Sequence, residues 1–85
     1  MKGSNKRVKA AFLEVVDNQL RDNTPPETRE TYQRLLKEGF SDQQARQLIG
    51  AVVGIEIFEV LKQQQPFDQE RFVAALERLP KMSWE

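Results

Sequence analysis

Few residues of this chain could do chemistry, and Glu56 is the foremost. It falls among Ile49, Val52, Val53 and Val60, which share one face of a helix at 3.6-residue spacing. An ionised carboxylate on such a face is costly unless paired. The spacing therefore predicts a partner, with Arg29, Arg34 and Gln19 as candidates. Used chemically, the carboxylate would be a general acid or base, and hydrolysis of the paired-acid kind needs a second acid converging on it. Glu59 and Asp17 are at hand, but neither stands at a diagnostic spacing. Glu56, Gln47, Gln19 and Asp17 together form the candidate polar core or ligand site.

The 85 residues contain no cysteine and no histidine. That excludes a disulfide framework, a thiolate zinc site, a cysteine nucleophile and every histidine-dependent triad. Neither a metal nor a cofactor is expected.

Gly50 and Gly54 form a Gly-x-x-x-Gly pair inside a helical stretch. Each glycine there costs about 1 kcal/mol relative to alanine. Close approach of another helix is the compensating gain. With Ile57 and Leu61 they define a candidate helix-contact or dimer face. No strand precedes them and no Gly-Lys-Ser/Thr follows, so this is not a phosphate loop.

Charge is balanced, with 13 Lys and Arg against 13 Asp and Glu. It is not evenly spread: Lys2, Lys6, Arg7 and Lys9 open the chain with no acid among the first nine residues. A basic arm can contact phosphates. The stretch Leu36 to Leu48 has the outline of a helix-turn-helix, but Arg46 is the only basic residue of the third helix before Lys62. A recognition helix needs more than one, so nucleic-acid binding is disfavoured. At the other end, Met82 and Trp84 follow Pro80 and form either a partner-binding hook or a flap over an open end of the core.

Four helices with punctuated joints must position these groups. The first is expected over Lys6 to Arg21, with Val8, Phe12, Val15, Val16 and Leu20 on its inner side. Thr24 is read as the N-cap of the second, with Pro25 at the first helical position and Glu27 completing a capping box. Gly39 ends it at positive φ, and Phe40 packs back on Leu35 in a Schellman closure. Ser41 and Gln44 form a second capping box and open a helix to about Gln63. Asp68 caps the fourth, Phe67 and Phe72 are spaced as a hydrophobic staple, and Pro80 stops it. The third helix is apolar on two sides: Ala45, Ile49, Val52, Val53 and Val60 on one, Gly50, Gly54, Ile57 and Leu61 on the other. A helix of that kind is expected to be surrounded by protein. The fold expectation is a single all-α, compact four-helix domain over residues 1–85, third helix central, with tails at 1–5 and 81–85.

Asp17-Asn18-Gln19-Leu20, Thr24-Pro25-Pro26-Glu27-Thr28-Arg29, Arg34-Leu35 with Glu38-Gly39, and Ala45 with Ile49 resemble a family of uncharacterised small all-helical prokaryotic domains. The resemblance spans about Ala11 to Lys62 and implies a compact helical domain with no established activity. Some relatives carry histidines at positions matching Leu13, Gln43 and Gln47; this chain has none there, so no metal ligands are carried over.

Function is expected to be contact with another protein, or self-association, without catalysis. The alternatives are a small-molecule-binding or hydrolytic domain using Glu56, and weak nucleic-acid binding through the basic arm. No apolar run approaches a membrane span, and no signal-peptide apolar region follows the basic start. The cytoplasm is the expected compartment.

Overall fold

The structure is a computed structural model that describes residues 2–82, with side chains described from residue 6. The Trp84 half of the expected hook lies outside the described residues. Four helices follow one another: α1 (Lys2–Asp22), α2 (Pro26–Lys37), α3 (Asp42–Gln63) and α4 (Gln69–Arg78). The first begins before the expected Lys6. Among the described residues no strand is present.

The joints follow from local chemistry. Gly39 has φ +103°, and the Gly39 and Phe40 N–H groups donate to the Leu36 and Leu35 carbonyls, closing α2 as expected. The Ser41 side chain accepts from the Gln44 N–H while the Gln44 amide accepts from the Ser41 N–H. The Asp68 carboxylate accepts from the Arg71 N–H. Phe67 and Phe72 bring their ring centroids to 5.6 Å, which fixes the angle at which the chain enters α4.

The start of α2 corrects one expectation. Its N-cap is Pro25, not Thr24, and no side chain caps it. The cause is the second proline. A residue before proline is barred from the helical region, so Pro25 stands at ψ 155° and the helix begins at Pro26. Thr24 instead donates its hydroxyl to the Asp22 carbonyl at 3.1 Å. Ser41→Ala should therefore cost about 1 kcal/mol, and Thr24→Ala no more than about 0.5 kcal/mol. Urea midpoints check this; equal losses at both positions would contradict it.

The third helix packs against all three others, while among the described residues the backbones of α1 and α4 do not approach each other. These two therefore flank α3, and α2 closes a third side by packing on α1, α3 and α4. The core is Val16, Leu35, Ala45, Ile49, Val52, Val53, Phe72, Leu76 and Leu79. Two arginines of α2 tie the periphery to it. Arg34 donates to the Leu76 and Leu79 carbonyls at the end of α4, and Arg29 donates to the Leu20 carbonyl near the end of α1. A cation at a helix C-terminus satisfies carbonyls that have no partner inside the helix.

The expectation that α3 is wholly surrounded holds on three sides only. Its fourth side has no helix over it. There Leu48, Ala51 and Ile55 are half-buried and Phe58 is exposed, and towards the end Val60 is half-buried and Leu61 exposed.

Candidate functional site

Glu56 is buried, at 4% exposure, and its partner is Arg71. The Arg71 Nε donates to Oε1 at 2.7 Å across the α3–α4 contact. The connection over 64–68 folds α4 back along α3, which brings Arg71, in the first turn of α4, beside Glu56. The bond to the carboxylate holds the Arg71 guanidinium further towards its charged form than usual. The expected partners serve elsewhere. Arg29 and Arg34 cap helix ends, and the Gln19 amide oxygen accepts from the buried Thr28 hydroxyl at 2.9 Å. A cavity of about 210 Å³ lies over the pair, with Glu59, Arg78 and Met82 on its walls. Met82 is half-buried and packs against the core.

The other polar candidates do not join Glu56. Asp17 is exposed and pairs with Arg46, which also reaches Asp42 at 3.6 Å. Asp42 accepts from the Tyr32 hydroxyl at 2.6 Å, so this cluster ties α1, α2 and α3 together. Gln47 is half-buried on the α1 side of α3. The four residues serve separate contacts, and among the described residues no group of three or more acids gathers to hold a metal ion. Arg46, the basic residue of α3 before Lys62, is engaged by Asp17 and Asp42.

Hydrogen bonding to Asp42, followed by burial, raises the Tyr32 phenol above its ordinary value. A raised pKa means that the folded chain holds the proton better than the unfolded one. The stabilisation is full below the unfolded value of about 10 and disappears as pH rises through the folded value. Tyr32 is the only tyrosine, so its phenolate absorbance reads one group. Its midpoint should lie above about 10 and fall in Asp42→Ala. A midpoint equal to free tyrosine would contradict the bond.

The larger concave feature lies between α1 and α3. A Cβ on Gly50 would meet Leu13 at 3.5 Å and Val16 at 3.8 Å; one on Gly54 would meet the Phe12 ring at 2.6 Å. Both glycines thus contact a helix of the same chain. Phe12 sits opposite Gly54 and Val16 near Gly50, so the two helices run antiparallel. Between them opens a groove of about 400 Å³, walled by Val8, Phe12, Leu13 and Phe58 and floored by Gly50 and Ala51. Val8 is 50% exposed, and Phe58 and Leu61 are each 70% exposed. The groove and the uncovered side of α3 share Ala51 and Phe58, and so form one surface. The expected helix-contact or dimer face reached Gly50 and Leu61 of this surface and missed Phe58, a large apolar residue assigned to neither face of the third helix.

No family model, curated protein or solved structure matches the chain. No helix among the described residues is long and apolar enough to cross a membrane.

Proposed function

We propose that the protein is a small non-catalytic interaction domain of the cytoplasm. Its working surface is the groove between α1 and α3 together with the uncovered side of α3. The observation that carries this is the exposed apolar surface of Val8, Phe58 and Leu61 beside a groove of about 400 Å³. A helix side facing only water is normally polar, whereas contiguous exposed apolar patches mark interaction sites. Glu56 does not favour an enzyme, because its pairing with Arg71 already accounts for a buried carboxylate. The resemblance to small helical prokaryotic domains is compatible with this reading and adds no activity to it.

Selection of binders from a displayed library of helical peptides tests the reading, with amide chemical-shift mapping on the labelled protein. Binders should perturb Val8 to Leu13 and Gln47 to Phe58, and Phe58→Asp should abolish their binding. A footprint confined to α2 and α4, or no binder to the folded protein, would overturn it.

A further inference from the structure

We infer that the α1–α3 groove takes an amphipathic helix whose apolar stripe is flanked by acidic residues; this rests on the groove being the working surface. Shape is the first argument. At Gly50 and Gly54 the two helices approach closely, and the surface between them sinks to a floor of Gly50 and Ala51. A slot between two helical ridges fits the ridge of a third helix, whereas a flat bilayer leaves its floor uncovered. The lining is apolar apart from Lys9 and Gln47, so the occupant must offer large apolar side chains in a row.

Charge is the second argument, and it selects among occupants. Lys9 lines the α1 bank of the groove, and Lys6 and Arg7 are exposed on the same helix in the turn before it. None of them forms an ion pair or hydrogen bond among the described residues. No acid precedes Glu14 in the chain, so nothing nearby on α1 offsets them. An occupant with Glu or Asp beside its apolar stripe meets complementary charge, and one with Lys or Arg meets repulsion. A second copy is a poor occupant, since the groove face it would offer carries the same Lys9 and no acid to meet it.

The test uses two labelled synthetic helical peptides with one Leu/Phe stripe, flanked by Glu in the first and by Lys in the second. Fluorescence anisotropy is read with the full chain, at low salt and at about 0.15 M. The Glu-flanked peptide should bind at least about tenfold more tightly, with a preference that shrinks as salt rises. Lys6→Glu with Lys9→Glu alters only exposed positions and should reverse the preference. Phe58→Asp should abolish binding of both peptides. Equal, Phe58-dependent binding of both would overturn the acidic partner and leave the groove as the working surface. Binding of neither, with the chain folded by circular dichroism, would overturn the groove as well. Two further results would overturn the inference: co-sedimentation with phosphatidylglycerol vesicles that Lys6→Glu with Lys9→Glu abolishes, in the absence of peptide binding, and a dimer in ultracentrifugation that Phe58→Asp dissolves.

Discussion

Gly54→Leu is expected to destabilise the fold by about 1–3 kcal/mol through overpacking. The direction is informative because leucine is the better helix former by roughly 1 kcal/mol. A Cβ at position 54 would stand 2.6 Å from Cε2 and 2.9 Å from Cδ2 of Phe12. Those distances are too short for any side chain, so the ring must swing away or α1 must move. At Gly50 the nearest atom is 3.5 Å away, an ordinary contact. Gly50→Ala should therefore be neutral or stabilising by up to about 1 kcal/mol. The two glycines look alike in sequence and should respond with opposite signs. Urea midpoints give the comparison, and a second substitution identifies the cause. Phe12→Ala should recover part of the Gly54→Leu loss, since residues in contact are not additive. A stabilised Gly54→Leu, or one indifferent to Phe12, would show that the close approach is absent.

Local chemistry made much of this fold legible. The Gly39 turn, the Ser41 box and the Asp68 cap each depend on residues within five positions of one another, and all three are present. Thr24 failed for an equally local reason: Pro26 restricts Pro25 before any capping side chain matters. The burial of Glu56 was legible from the residues one turn away. Its partner was not, because the register between α3 and α4 is set by packing and no spacing within one helix encodes it. The uncovered side of α3 was legible only in part, for a different reason. Apolar residues all round a helix imply neighbours all round it, but three other helices covered only three sides. The surplus apolar side then marks the place where something outside the chain can pack, and periodicity alone does not separate it from core.

The Glu56–Arg71 pair should respond asymmetrically to the loss of its two members. The Glu56 side chain is 5% exposed and that of Arg71 39%. Replacing Arg71 by methionine leaves a carboxylate buried without its cation, and burial of an uncompensated charge is strongly unfavourable. Replacing Glu56 leaves a guanidinium that already reaches water and can turn towards it. Arg71→Met should therefore give the largest fall in urea midpoint among substitutions at these two positions. Glu56→Gln keeps an acceptor for the Arg71 Nε–H and gives up only the charge, a loss of about 1 kcal/mol. Glu56→Leu should be neutral or mildly stabilising, since Val52, Val53 and Val60 are its neighbours one turn away. The double variant Glu56→Leu with Arg71→Met should recover most of what Arg71→Met loses, because it removes the charge that was stranded. Two results would count against the pair. If Arg71→Met matches the parent, Glu56 finds water by another route. If the losses simply add in the double variant, the two side chains are not coupled and their 2.7 Å contact contributes nothing to stability.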